Sequence, residues 1–267
     1  NIGATTVGGM INNVKTFASV LMPGVQHMRH THLPEHKFVK GEPDTGVEMA
    51  EDLERIAMNF GGENIAACII EPIAGSTGTL VPPKGYLKRI RDICDKHGIL
   101  LIFDEVITGW GRTGSAFAAQ EWNVTPDIMT MAKATTNGVV PMGVVAVKEE
   151  IYDSVLDASS APEGTPELFH GYTYSGIPVA VAAALAVQDI FDKEDLINRA
   201  KEMSPYFQDG LHSLKDLKDV VSIRGYGMMG GIEINMKEKP GKAGYQVFKH
   251  CYDSGVNFKN TGDNLII

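Results

Sequence analysis

Cysteine is scarce in this sequence: Cys68, Cys94 and Cys251 are its only three, well separated and without Cys-x-x-Cys spacing. That argues against a disulfide framework and fits a reducing compartment, so a cytoplasmic protein is expected. Long apolar runs are missing too. No window approaches the roughly 18 uninterrupted apolar residues of a membrane span, and no membrane partner is expected. Basic charge is in deficit, with Lys+Arg 24 against Asp+Glu 33 and a net charge of −9. Nucleic acid favours a basic face, so it is not an expected partner either. Internal repeats and low-complexity tracts are also absent. What is present is 267 residues of 43% apolar content, enough to bury one large core or two smaller ones.

Periodicity along the chain predicts α/β organisation. From Val47 to Phe60, apolar Met49, Leu53, Ile56 and Phe60 recur at helical spacing among acidic residues. "IAACII" (65–70) reads as a short buried strand ending at Glu71-Pro72. "KGYLKRIRDICDKHG" (84–98) reads as a helix with Leu87, Ile90, Ile93 and Cys94 inward and Gly98 as its stop. A strand over 99–103 follows at once. Strand, helix, strand in this order predicts a right-handed parallel crossover with both strands covered on both faces. "DIMTMAK" (127–133) and "GVVAVK" (143–148) are further strand candidates. "IPVAVAAALAVQDIFDKED" (177–195) is apolar on nearly all sides, so a deeply packed helix is expected. Beyond it come a polar amphipathic stretch and "VVSIRGYGMMGGIEIN", two strands around a glycine turn. The expected boundary lies near residue 195, with a mostly parallel α/β domain over 1–195 and the start of a smaller α+β domain over 196–267. The chain begins at Asn1 without Met and stops inside "NLII", which reads as mid-strand, so a segment of a longer protein is expected.

"LLIFDEVITGWGRTG" (100–114) drives a hydrophobic strand into two adjacent carboxylates, Asp104 and Glu105. A buried carboxylate needs a charged or hydrogen-bonding partner. An ATPase element ends similarly, but it also needs GxxxxGK[ST]. The only Gly-Lys pair, Gly241-Lys242, is followed by Ala243 and has Met236 where the first glycine belongs. "GYGMMG" (225–230) matches a dinucleotide fingerprint but is followed by strand-like "GIEIN" where a helix N-terminus is required, so a tight turn is the better reading. His27, His30 and His32 lie close in sequence, yet Arg29 stands among them and no Cys or carboxylate is near, so no metal is expected. Lys133, after an apolar strand, reads either as a solvated strand-end lysine or as a desolvated, nucleophilic amine suited to Schiff-base chemistry. Asp104 and Lys133 both lie at carboxyl ends of predicted parallel strands, where open α/β sheets place ligands. Pyridoxal phosphate would occupy both: an aldehyde for the lysine and a ring nitrogen for the carboxylate.

"EPIAGSTG", "LLIFDEVITGWGRTG", "MAKATTNGVVPMG" and "FHGYTYSGIPVA" resemble, in order and spacing, the class III (ω-amino acid) aminotransferases of fold-type I pyridoxal-phosphate enzymes. "TNGVVPMG" and "HGYTYSG" look most like the β-alanine/ω-amino acid–pyruvate members. The resemblance implies that Lys133 is the Schiff-base lysine, Asp104 the partner of the pyridine nitrogen, and Val106 the apolar side chain against the ring. It implies that Thr173, with Tyr172 beside it, reaches the cofactor phosphate of a partner subunit. Glu71 would support the substrate end, or serve only as a strand-end carboxylate before a proline turn. An ω-amino acid or amine would donate to a keto acid such as pyruvate, in a homodimer or dimer of dimers. An aminomutase, a decarboxylase or a non-catalytic homologue of the same branch are the alternatives. The family's Ser-Gly-Ser phosphate loop and ring-stacking aromatic precede "NIGATTVGG", and its carboxylate-binding arginine falls beyond Ile267. The segment alone is therefore expected to be inactive. Ile177 stands where His is usual and Lys259 where Arg is common.

Overall fold

In the computed structural model, which describes residues 2–159, 168, 170–235 and 239–267, the strands form two four-stranded sheets. Asn1 and Phe169, which begin the "NIGATTVGG" and "FHGYTYSG" stretches, lie outside the described residues. The first sheet is β1 (Ala67–Ile70), β2 (Leu100–Asp104), β3 (Ile128–Met131) and β4 (Val144–Val147), in that spatial order. The second contains β5 (Val220–Tyr226), β6 (Met229–Ile234), β7 (Lys259–Thr261) and β8 (Asn264–Ile266), antiparallel throughout, in the order β5-β6-β8-β7. Around them lie α1 (Ile2–Val7), α2 (Ile11–Thr16), α3 (Glu51–Phe60), α4 (Tyr86–His97) and α5 (Ala118–Glu121). Then follow α6 (Glu149–Asp157), α7 (Pro178–Lys193), α8 (Leu196–His212) and α9 (Lys242–Asp253). No described helix is long and apolar enough to cross a membrane.

The β1–α4–β2 crossover is parallel, with Ile70 opposite Phe103, and β2 runs parallel to β3, with Asp104 opposite Thr130. α4 buries Tyr86, Leu87, Ile90, Ile93 and Cys94, the face its helical spacing predicts. It stops at Gly98, whose φ of 68° lets its amide return to the Cys94 carbonyl. This face packs on Leu101 and Phe103 of β2 and on Met49, Leu53 and Ala57 around α3.

Three expectations need correction, and the structure adds the direction of β4. Phe60, read as part of the inward stripe of α3, is exposed at its end. β4 runs antiparallel to β3, because residues 132–143 contain one 3₁₀ turn and no crossover helix, so the chain returns from the end it left. Among the described residues the second face of the sheet is left partly open; Ile69, Leu100, Val145 and Val147 are exposed on β1, β2 and β4. α7 is not deeply packed: only Ala180 and Ala184 are buried, while Val179, Leu185 and Ile190 are exposed. Apolar composition states a preference for burial; it does not supply the surface that does the burying.

Residues 225–230 form the β5–β6 hairpin and not a nucleotide loop. Gly227 turns it at φ 57°, and a Cβ there would fall 2.3 Å from the Arg112 carbonyl oxygen. A Cβ on Gly231 would lie 2.4 Å from the carbonyl oxygen of Gly78. Small residues thus let the second sheet seat on the loops that follow β1 and β2.

Asp127 ties the first sheet together. Its Oδ2 accepts from the Leu101 amide and from Arg91, each at 2.7 Å, and its Oδ1 accepts from Lys148 at 2.7 Å. Although burial opposes ionisation, these donors hold the carboxyl below its usual range. A depressed carboxylate adds stability that is present above the ordinary Asp value and lost as pH falls through the folded one. Asp127→Ala should cost about 3 kcal/mol at neutral pH, read by urea denaturation, because Arg91 and the Leu101 amide lose their acceptor. The difference between wild type and variant should shrink below about pH 4.

Candidate active site

Parallel β1, β2 and β3 bring their carboxyl ends to one edge of the sheet, so Glu71, Asp104 and Lys133 converge there. Asp104 closes β2. Its Oδ1 accepts the Val106 amide at 3.1 Å and the Thr130 hydroxyl at 3.4 Å. That turn orients the carboxylate, and among the described residues no protein donor occupies Oδ2. Val106, half-buried, stands beside it.

Glu105 points the other way, as alternation along an extended chain requires. It is fully buried and accepts three bonds: from the Thr108 hydroxyl at 2.6 Å, the Ala118 amide at 2.9 Å and the Ala119 amide at 2.8 Å. Burial still pushes its carboxyl up. The adjacent carboxylates therefore have separate duties. Asp104 faces the sheet edge, and Glu105 closes the glycine-rich loop of residues 106–117 onto the start of α5. Sequence reasoning gave Glu105 no role; its helix-capping partners lie 13 and 14 residues away.

Lys133 opens the 3₁₀ turn Lys133–Thr135 with a left-handed φ of 49°. Lys133 is exposed as a residue, yet partial desolvation lowers its amine pKa, against the opposing fields of Asp104 and Glu71, while Lys259 lowers it further. A larger fraction of the amine is thus neutral at a given pH than for a solvated lysine. Glu71 accepts the Gly75 amide at 3.0 Å and is pushed up chiefly by burial, with Asp104 adding to the effect and Lys133 and Lys259 opposing it.

Lys259 belongs to this site, which sequence reading noted only as a departure from Arg. It lies on β7, and its amine donates to Ser76 Oγ at 3.0 Å, bridging the second sheet to the loop after Glu71. Tyr172 and Thr173 are placed differently. Both are exposed in the turn before α7, where the Tyr172 amide donates to Ser175 Oγ at 3.4 Å and the Ser175 amide returns to the Tyr172 carbonyl. The structure brings Lys133, Asp104 and Glu71 together and leaves Thr173 and Tyr172 on that outer turn.

The three histidines are not gathered into one site. The His32 amide donates to His30 Nδ1 at 3.3 Å, and the His32 ring packs edge-on against His36. Burial, with Arg224 nearby, brings His32 down to about 4.

The family described as aminotransferase class-III matches residues 3–267. An omega-aminotransferase of Caulobacter vibrioides is 50% identical over 99% of this chain and 60% of its own length. A beta-alanine–pyruvate aminotransferase of Pseudomonas aeruginosa is 44% identical over 99% of this chain and 59% of its own length. A solved omega transaminase of Pseudomonas jessenii in complex with PMP superposes with a TM-score of 0.91 at 30% identity, covering 100% of this chain and 60% of that one. The chain spans about three-fifths of the length of the curated relatives it matches.

Proposed function

This chain belongs to the class III aminotransferases, and from that premise we propose that the protein moves an amino group from an ω-amino acid or amine to a keto acid such as pyruvate. The observation that carries the reading is the placement of Asp104 and Lys133 at the carboxyl ends of the adjacent parallel strands β2 and β3. The residues present fit pyridoxal phosphate: an amine of lowered pKa suits its aldehyde, and the unengaged Asp104 Oδ2 suits its ring nitrogen. Bound there, that cofactor supplies a carbonyl for amine exchange and a ring that accepts the electrons left when a substrate carbon loses a proton.

This chain's own residues do the rest. Lys133 would hold the aldehyde through Nζ and, when free of it, would serve as the base and acid that moves a proton at that atom. Asp104 keeps a proton on the ring nitrogen, and the Asx-type turn to Val106 fixes the carboxylate that does so. Val106 presents an apolar wall to the ring face. Lys259 and Ser76 lie on the substrate side, where a cation suits a carboxylate, and Glu71 is held beside them by the Gly75 amide. Thr173, with Tyr172, is assigned to the cofactor phosphate of a partner subunit in a homodimer, supported by the exposure of that turn and of apolar residues on α7.

Incubated with pyridoxal phosphate, β-alanine and pyruvate, the purified full-length protein should form alanine mole for mole with the semialdehyde left by the donor. Carbon dioxide release, or a rearranged amino acid with no dependence on pyruvate, would assign it instead to a decarboxylase or an aminomutase.

A further inference from the structure

Lys133 is held in a conformation that a lysine does not choose. A left-handed φ on a residue with a Cβ is disfavoured by roughly 1 kcal/mol or more and persists only where its surroundings over-determine it. The local bonds are modest: the Thr135 amide returns to Ala132 at 3.1 Å, and the Gly138 amide reaches the Lys133 carbonyl at 3.2 Å. One side chain reaches in from another element. The Trp110 indole N–H donates to Thr135 Oγ1 at 3.1 Å, and the Thr135 hydroxyl donates to the carbonyl of Ala132, the residue before Lys133, also at 3.1 Å. Among the described residues Trp110 is the only side chain from outside residues 132–136 that hydrogen-bonds to this turn, while the Thr136 hydroxyl donates outward to the Val140 carbonyl at 2.6 Å.

Trp110 is itself constrained. Its φ is 62°, and its amide donates to the Ala116 carbonyl at 2.6 Å. Its ring meets Phe117 at 5.2 Å and Phe191 of α7 at 5.9 Å. The loop that carries it is closed at its base by Glu105, three bonds deep in the core. A rigid chain of contacts therefore runs from the start of α5, through Glu105 and the loop, to the indole and on to the turn bearing the amine.

We infer that Trp110 is a positioning residue for Lys133: its indole N–H clamps Thr135 and so holds the left-handed turn that presents the amine to the sheet edge. It touches neither substrate nor cofactor in this role. The inference rests on Lys133 being the reactive amine, and its test separates the two ideas.

In the protein freed of cofactor, competitive labelling with a trace of dinitrofluorobenzene, followed by peptide mass analysis, reads the reactivity of the Lys133 amine across pH. Trp110→Phe keeps the ring and removes the donor. It should lower Lys133 labelling near pH 8 about fivefold, the worth of one neutral hydrogen bond, and move the labelling curve to higher pH. Asp104, Glu71 and Lys259, the charged groups that bear on the amine, are unaltered in this variant. Thr135→Val should reproduce the effect, and Thr135→Ser should restore wild-type behaviour. The double variant Trp110→Phe/Thr135→Val should be no worse than Thr135→Val alone, because without the hydroxyl the indole has nothing left to hold. Labelling within twofold of wild type, or additive losses in the double variant, would overturn the inference. If Trp110→Phe does not fold, the Thr135 pair decides it alone. Since labelling needs no turnover, a protein that positions Lys133 through Trp110 yet transfers no amino group would sink the proposed function and leave this inference standing.

Discussion

Lys133→Ala in the full-length protein should reduce amino transfer from β-alanine to pyruvate by more than about a thousandfold and leave the fold intact. General acid–base work alone is worth about 10²–10⁴-fold, and here the same nitrogen also makes the covalent link to the aldehyde. Stability should hardly change, since Lys133 lies outside the hydrophobic clusters and its Nζ makes no hydrogen bond among the described residues. Alanine formation followed beside a thermal melt separates chemistry from folding. Residual transfer above a thousandth of wild type would remove Lys133 from the reaction.

Asp104→Asn is expected to have the next largest effect, a fall in turnover of about 100-fold with covalent attachment at Lys133 preserved. A carboxylate facing a protonated ring nitrogen makes a charge-assisted bond worth about 1.5–3 kcal/mol, or roughly 10- to 150-fold, and a neutral amide cannot hold that charge. The substitution conserves shape, and the amide carbonyl can still accept from Val106 and Thr130, so the turn after β2 should survive. Borohydride trapping of the cofactor on Lys133 should therefore proceed as in wild type while alanine formation does not. Turnover within threefold of wild type would make Asp104 a strand-end residue whose work is finished in the turn.

Much of the first half of the chain was legible in order. The apolar spacing of Leu87, Ile90, Ile93 and Cys94 defined the buried face of α4, and Gly98 marked its end, because helical periodicity and a left-handed stop are local properties. Once β2 and β3 are read as parallel strands of one sheet, Asp104 and Lys133 must lie at one edge, since parallel strands end on the same side. The four motifs indicated the family for the same reason: they are contiguous runs whose residue order survives without knowledge of the fold.

Tertiary structure decided everything that depends on meeting a distant partner. The direction of β4 depends on the path of the connection after β3, which makes a 3₁₀ turn and no crossover helix. The partly open face of the sheet and the exposed side of α7 show that hydrophobic pattern reports which side chains gain from burial but not whether a covering surface is present. Lys259 reaches Ser76 across 183 residues, and Trp110 reaches Thr135 across 25, through side-chain geometry that no spacing rule encodes. The two neighbouring carboxylates mark the division most plainly. By itself the sequence placed Asp104 and Glu105 together at the end of a buried strand, and backbone alternation made them face opposite ways. Only the packed structure, by offering Glu105 two amides and a hydroxyl and leaving an oxygen of Asp104 unengaged, decided which carboxylate is structure and which faces the chemistry.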